Sequence, residues 1–175
     1  MRRLGATLLL TYALRNADCH AKNLALLYTR RADVELAPIY DMLTTAVYEG
    51  YELNPPGLAF MGKKTWRPGK HLQTFLASTF ELPLRDQKML IEHIGDAMAA
   101  VAPAVRQAMR DVPGFSEVGA RMLLVWGEAY DMLRDRPCYG LGSRPLGPSW
   151  DGLTVPPRSR PPADKVGPSE LLGRR

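Results

Sequence analysis

The chain has 175 residues, of which 46% are hydrophobic, and it carries a formal net charge of +5 at pH 7. This length supports one hydrophobic core. The cysteines, Cys19 and Cys138, lie too far apart and in contexts too different to indicate a disulfide framework or a metal site. The mild excess of positive charge suits anionic ligands, but we predict no direct nucleic-acid binding.

The first predicted element is an apolar helix over residues 3–15. The apolar run after Arg2 and Arg3 superficially resembles a secretory signal. It is short, however, and it ends in Arg15 and Asn16 without a small-residue cleavage site. It is also too short to cross a bilayer. We therefore expect a buried helix in a cytoplasmic protein without a membrane segment.

A compact polar loop, residues 16–23, precedes a predicted β-hairpin. An apolar run over residues 24–29 and an alternating run over residues 34–37 are typical of paired strands. An antiparallel hairpin brings its two ends together. Asn23 precedes the outgoing strand and Asp41 follows the returning one, so we expect their side chains to lie side by side.

Residues 42–68 are predicted to be irregular, with a break at 54–57 and a candidate short strand at 58–61. Helices are expected from about Lys70 onwards, and Pro83 suits the first turn of the second of them. The fold class that follows is mainly α with a small β-hairpin.

The later helices carry two further boundary signals. Pro103 is expected to kink or restart the long helix, and Ser116 is expected to cap a last helix that ends near Arg134. Eight of the 15 prolines fall within the last 40 residues. We therefore predict a folded domain over residues 1–135 and a disordered tail rich in Pro, Arg and Gly over residues 136–175.

The residue types and the sequence spacing that phosphoryl transfer from ATP needs are present in Asp18, Asn23 and Asp41. Protein kinases place an Asp and an Asn in the order Asp-x-x-x-x-Asn and then use a second metal-binding Asp. Asp18 and Asn23 have this spacing, and Asp41 follows 18 residues later. In such a set the first Asp accepts or orients the proton of the attacking hydroxyl, while the other two residues hold magnesium.

Each of these residues also has a simpler interpretation. Asp18 alone could be a turn or cap residue, and Asn23 alone could lie at a strand edge. Asp41 could be the N-cap of a short helix through Thr45, a role compatible with metal binding.

The other loop residues, Asn16, His20 and Lys22, are predicted to support the site. We expect His20 to orient the loop through hydrogen bonds, since a kinase with a placed Asp needs no histidine base. Lys22 could contact phosphate or remain solvated. Cys19 is not expected to act as a nucleophile because no base is placed for it.

Two spaced motifs together resemble the HipA family of bacterial serine/threonine kinases from toxin–antitoxin modules. They are Asn16-x-Asp18-x-His20-x-Lys22-Asn23, and Leu36-Ala37-Pro38-x-Tyr40-Asp41 with Thr44-Thr45-Ala46-Val47-Tyr48 after it. The resemblance implies the helical C-terminal lobe of a kinase-like fold, with Asp18 as the catalytic residue and Asn23 and Asp41 as Mg²⁺ ligands. It also implies ATP as donor, a protein hydroxyl as acceptor, and an antitoxin of the HipB kind as partner.

The resemblance implies an N-terminal lobe as well, with a phosphate-binding loop and a lysine that pairs with ATP. Neither G-x-x-x-x-G-K-[ST] nor G-x-G-x-x-G occurs in the sequence. We therefore expect a catalytic half that needs a separate N-terminal lobe: a truncated form, a fragment or one part of a split enzyme. The alternative is a non-catalytic remnant that binds an antitoxin-like partner.

Overall fold

The computed structural model describes residues 2–30, 33–135 and 137–154. Within them, helices make up most of the chain, and a two-stranded antiparallel sheet follows the first helix. The elements are α1 (Arg2–Leu14), β1 (Leu26–Arg30), β2 (Asp33–Leu36), α2 (Lys70–Phe80), α3 (Leu84–Asp111) and α4 (Phe115–Arg134). Single turns of 3₁₀ helix occur at Ala21–Asn23, Thr45–Val47 and Pro148–Trp150. The predicted class, mainly α with a small β-hairpin, is confirmed.

Helix α1 is buried on most of its circumference, because it contacts α2, α3 and α4. Leu9 and Ala13 are completely buried. The two threonines on the buried side, Thr7 and Thr11, donate their hydroxyls to carbonyl oxygens one turn earlier in the helix, so their burial leaves no hydroxyl without a partner. The surrounding helices explain why the first element of the sequence is apolar nearly all round.

Helices α3 and α4 pack against each other along most of their length. The two helices come close together at Gly95, where a Cβ would lie 2.2 Å from the Tyr130 hydroxyl oxygen. Tyr130 is fully buried, as are Ile91 and Leu123. A glycine is therefore required at this crossing.

Two helix boundaries differ from the sequence prediction. Pro103 does not restart α3, which runs through it, because Met98, Ala102 and Val105 form one buried stripe that continues past the proline; the alternative, a kink, stays a prediction. Ser116 does not cap α4. The N-cap is Gly114, whose φ of 79° ends the preceding turn.

The segment over residues 137–154, which we call the C-terminal strap, packs on the helices. Tyr139 is 2% exposed, and its hydroxyl donates a hydrogen bond of 2.6 Å to Gln87 Oε1. At the other end, Trp150 Nε1 donates to the carbonyl oxygen of Leu123 at 2.8 Å. These contacts join the strap to α3 and α4.

The prediction of a disordered tail from residue 136 is therefore wrong for the strap. A few large side chains and an ionic network suffice to hold it, despite its prolines. Arg144 of the strap and Arg134 of α4 both pair with Glu92 of α3. Residue 136 and residues 155–175, the rest of the predicted tail, lie outside the described residues.

The chain between β2 and α2 is mostly irregular, as predicted. A single antiparallel bridge between Phe60 and Lys63 takes the place of the short strand expected at 58–61. Tyr12 of α1 holds this region, because its ring contacts Phe60 and its hydroxyl donates to the Thr65 carbonyl oxygen at 2.9 Å. Among the described helices, none has the length and apolarity needed to cross a membrane.

Candidate functional site

The polar loop begins with a sharp turn at the end of α1. Arg15 has a φ of 54°, a left-handed conformation that is uncommon for a residue with a Cβ. Thr45 holds this turn from outside, because its hydroxyl donates to the Arg15 carbonyl oxygen at 2.8 Å and accepts from the Ala17 N–H at 2.7 Å. A residue 30 positions further along the chain therefore fixes the start of the loop.

Asn16 joins the loop to the segment that contains Asp41. Its side chain is completely buried. Its Oδ1 accepts a hydrogen bond from the Asp18 N–H at 3.1 Å, and its Nδ2 donates to the Asp41 carbonyl oxygen at 3.2 Å. One buried amide thus fixes the backbone of both acidic residues relative to each other.

The hairpin brings Asn23 and Asp41 into contact. Strands β1 and β2 pair Leu26 with Leu36, and the Ala37 N–H continues the ladder by donating to the Ala25 carbonyl oxygen at 2.9 Å. Beyond this last rung, Asn23 Nδ2 donates a hydrogen bond to Asp41 Oδ2. The side chains expected to meet at the end of the hairpin do meet there.

Tyr40 provides a second tie across the same end of the hairpin. Its hydroxyl donates to the Lys22 carbonyl oxygen at 2.8 Å, while the Lys22 side chain is exposed. Asp41 itself has a φ of 55° and is not an N-cap. The N-cap position of the short 3₁₀ turn at Thr45–Val47 is Thr44, so the cap role considered for Asp41 is wrong.

Helix α4 holds the segment that follows Asp41. Trp126 Nε1 donates to Thr44 Oγ1 at 2.7 Å, and both residues are buried. Gly57 packs directly against the polar loop, since a Cβ there would lie 2.6 Å from the Cys19 carbonyl oxygen and 2.8 Å from that of Ala17. Thr45 and Gly57 therefore confine the backbone of the polar loop, and α4 acts on it indirectly by holding Thr44, the neighbour of Thr45.

Asp18 is exposed at the edge of a cleft. Its side chain is 59% exposed, and its Oδ1 lies 3.9 Å from His20 Nε2. His20 also contributes its backbone, because its N–H donates to Asn23 Oδ1 at 3.4 Å. His20 therefore lies beside both Asp18 and Asn23, and its role in orienting the loop stays a prediction.

Asp18 and the Asn23–Asp41 pair face different cavities. The space beside Asn23 and Asp41 is only about 10 Å³. Asp18 opens instead on a cleft of about 560 Å³, lined by Ala17, Asp18, Leu43, Thr45, Tyr48, Tyr51, Asn54 and Pro55. Asn16 and the turn at Ala21–Asn23 connect the two sides.

The chemistry of Asn23 and Asp41 fits magnesium. Mg²⁺ prefers oxygen ligands, and it is usually bound by one or two protein carboxylates together with substrate phosphates and water. Asp41 Oδ2 and Asn23 Oδ1 are the oxygens of such a partial set; in the structure Asn23 Nδ2 faces Asp41, so the Asn23 amide would turn to present Oδ1 to the ion. Within the described parts of the chain, no three His, Cys, Asp or Glu side chains converge as a metal-binding group, so the protein would supply only part of the coordination shell.

Sequence reasoning missed the residues that hold the site. Thr45, Gly57 and Trp126 carry no chemical signature, and each acts on the loop from a distant part of the chain. The Pro-Pro-Gly run before Leu58 indicated a break in the chain but not the close approach of Gly57 to the loop. For Thr45, the one indication of a role in the sequence was its place in the motif that begins at Leu36.

Comparison with known proteins agrees with these observations. The family model of the HipA-like C-terminal domain matches residues 1–106. A search of curated proteins gave no match, and a search of solved structures gave none. The matched stretch is more than half of the 175 residues and contains the polar loop, the hairpin and Asp41. The chain belongs to the family of HipA-like C-terminal domains.

Proposed function

We propose that this chain is the catalytic lobe of a HipA-like serine/threonine protein kinase, which transfers the γ-phosphoryl group of ATP to a protein hydroxyl. The observation that carries the proposal is the contact between Asn23 and Asp41 at the end of the hairpin. It is joined by the position of Asp18, five residues before Asn23, whose backbone is tied to Asp41 through Asn16. Kinase chemistry requires this combination of groups.

In the proposed reaction Asp18 orients the acceptor hydroxyl and takes its proton. Its side chain is exposed to the cleft that an acceptor could enter. The buried amide of Asn16 and the hydroxyl of Thr45 fix the loop backbone, so Asp18 is held in place before the acceptor arrives. A fixed base lowers the barrier because less reorganisation is needed during proton transfer.

Asn23 and Asp41 would hold Mg²⁺ through their side-chain oxygens. The ion, when bound with ATP, supplies positive charge that offsets the negative charge of the phosphates. Tyr40 supports this pair by tying the Lys22 backbone to the Asp41 side of the hairpin. The exposed Lys22 directly precedes Asn23 in the polar loop. A contact between its side chain and phosphate stays a prediction.

A nucleotide clamp must come from other residues, because the sequence contains no phosphate-binding loop motif. We propose that an N-terminal lobe supplies it, and that an antitoxin-like protein is a further partner. Without that lobe we expect weak ATP binding or none, since much of the binding energy for the triphosphate comes from such a loop and its lysine.

The test is a transfer assay with radiolabelled ATP and magnesium. The chain is assayed alone and together with a separately produced N-terminal lobe of the family, using wild type, Asp18→Asn and Asp41→Asn. Asp18→Asn should lower the transfer rate by about 10²–10⁴-fold, the usual contribution of a general base. Asp41→Asn should raise the magnesium concentration that transfer requires, because it removes a ligand charge.

Asp151→Asn is the matched control, since it removes an exposed carboxylate remote from the polar loop in sequence. It should leave the rate unchanged. Equal rates for wild type and Asp18→Asn would remove Asp18 from the catalytic role. Vigorous transfer by the chain alone would contradict the need for a separate nucleotide clamp.

A further inference from the structure

Residues 63–70 form a strongly basic stretch that leads from the irregular region into the first turn of α2. We call it the basic segment, and its four cationic side chains are all exposed: Lys63, Lys64, Arg67 and Lys70. The longer stretch around it, residues 53–80, contains no other Lys or Arg and no Asp or Glu. These four cations therefore supply +4 of the net charge of +5 that the chain carries.

In the described part of the chain, no ion pair offsets these charges. The pairs found there involve arginines of the helices and the strap, together with His20, and none includes a side chain of the basic segment. Lys70 is the first residue of α2, and the first turn of that helix contains no acidic residue. The positive end of the helix dipole therefore adds to the field of the four cations.

The backbone of the basic segment is held by the core. The Phe60 N–H donates to the Lys63 carbonyl oxygen at 2.9 Å, and the Lys63 N–H donates back to the Phe60 carbonyl oxygen at 3.0 Å. Phe60 is 1% exposed. Further along, the Tyr12 hydroxyl donates to the Thr65 carbonyl oxygen. A partner would therefore meet a preformed backbone, and binding would cost little ordering of the chain.

The two ends of the basic segment lie close together. Burial lowers the pKa of His71, and the positive charge of Lys63 lowers it further. His71 follows Lys70 directly in α2, so the ammonium group of Lys63 acts on the same helical turn that contains Lys70. Lys63 and Lys70 thus contribute to one positive surface.

We infer that the basic segment is a docking surface for an acidic polypeptide segment of another protein. The inference goes beyond the proposed function and does not depend on it, because these residues belong neither to the polar loop nor to the hairpin. Complementary charge steers association and selects the partner. A surface of several exposed, unpaired cations therefore suits a run of Glu or Asp side chains.

Two observations favour an acidic polypeptide over a nucleic acid. Four cations are few for a duplex, since strong, salt-sensitive binding to DNA engages about 6–10 phosphates. The one aromatic ring in the basic segment, Trp66, is already occupied: it contacts Tyr12 and the Arg15 guanidinium, and its Nε1 donates to the Asn54 carbonyl oxygen. It therefore offers little surface for the base stacking on which single-strand binding relies.

The test measures binding to the full chain by fluorescence anisotropy. One fluorescein-labelled peptide alternates glutamate with glycine, a second has glutamine in place of every glutamate, and a third probe is a short labelled DNA duplex. The glutamate peptide should bind at least about 5-fold more tightly than the glutamine peptide, and added salt should reduce the difference.

Lys63→Gln combined with Lys70→Gln is the informative variant. Its control combines Arg3→Gln with Arg30→Gln, which removes two exposed cations from α1 and β1 and changes the net charge equally. The first variant should weaken binding of the glutamate peptide by about 2- to 25-fold, the range of two exposed ion pairs. The control should weaken it by less than about 2-fold, and both variants should keep the Tm of the wild type.

Four outcomes would overturn the inference. They are equal binding of the two peptides, no binding of the glutamate peptide, equal losses in the two variants, and duplex binding that is tighter than peptide binding and is lost in the first variant alone. The last result would assign the surface to nucleic acid. None of these outcomes bears on phosphoryl transfer, because the assay contains no ATP and leaves Asp18, Asn23 and Asp41 unchanged.

Discussion

Asn16→Ala tests whether one buried amide holds the site together. In the wild type, Oδ1 of Asn16 accepts from the Asp18 N–H and Nδ2 donates to the Asp41 carbonyl oxygen. Alanine makes neither bond. Because the side chain is completely buried, water cannot readily replace it without a local opening of the loop.

The expected loss follows from the two groups left without a partner. Each buried backbone group that loses its hydrogen bond costs about 1–3 kcal/mol. Both bonds are only part-buried overall, so values in the lower half of that range apply. The free energy of unfolding should therefore fall by about 2–4 kcal/mol, and Tm should fall by about 4–16 °C for a chain of this size.

The assay is urea denaturation followed by far-UV circular dichroism and tryptophan fluorescence. Gln107→Ala is the control, since it removes an exposed amide that bonds to Asp111 on the surface of α3. It should change stability by no more than about 0.5 kcal/mol. A loss for Asn16→Ala of under about 1 kcal/mol, or a loss equal to that of the control, would refute the reasoning.

Gly57→Ala should lower the free energy of unfolding by about 1–3 kcal/mol in urea denaturation, because the added Cβ would lie 2.6 Å from the Cys19 carbonyl oxygen. Tyr139→Phe should cost about 1–2 kcal/mol in the same assay, because it leaves Gln87 Oε1 without its buried donor. Burial raises the pKa of Glu92, but hydrogen bonds from its two arginine partners outweigh burial and hold that pKa below 4.5. The stability from this carboxylate is present above about pH 4.5 and is lost as the pH falls through the lowered pKa, so Glu92→Gln should flatten that part of the curve of Tm against pH.

Each of these changes has a matched control in the chain. Gly69→Ala adds a methyl group whose nearest neighbour, His71 Nδ1, lies at an ordinary 3.5 Å, so it should cost less than the change at Gly57. Tyr28→Phe removes the hydroxyl of a residue that is 72% exposed and should be nearly neutral. Glu35→Gln should leave the acid limb of the Tm curve as steep as in the wild type. A control that matched its test variant would contradict the contact on which that prediction depends.

The sequence was sufficient to predict the meeting of Asn23 and Asp41. Strand periodicity located both arms of the hairpin, and antiparallel pairing then requires the residues at its two ends to be neighbours. This inference needs only local information. The helical class followed in the same way from apolar periodicity, which is strongest in α3 and also present in α2 and α4.

The sequence could not show which distant residues confine the loop. The bond from Trp126 to Thr44 spans 82 positions, and no periodic pattern encodes a contact of that kind. The composition of the tail also led to a wrong prediction for the strap. Prolines are typical of disordered segments, but here they lie between side chains, such as Tyr139 and Trp150, that pack on the helices. Whether a proline-rich segment orders depends on the surface that receives it, and that surface is built by α3 and α4.

The position of α4 has a consequence for any shortened form of this protein. The family match ends at residue 106, within α3 and before α4 begins at Phe115. A polypeptide cut there would retain Asp18, Asn23 and Asp41 but would lose the indole that secures Thr44. Asp18, Asn23 and Asp41 are thus encoded before that boundary, and the helix that holds Thr44 is encoded after it. A polypeptide that ended at residue 106 would contain every group of the motif without the helix that supports them.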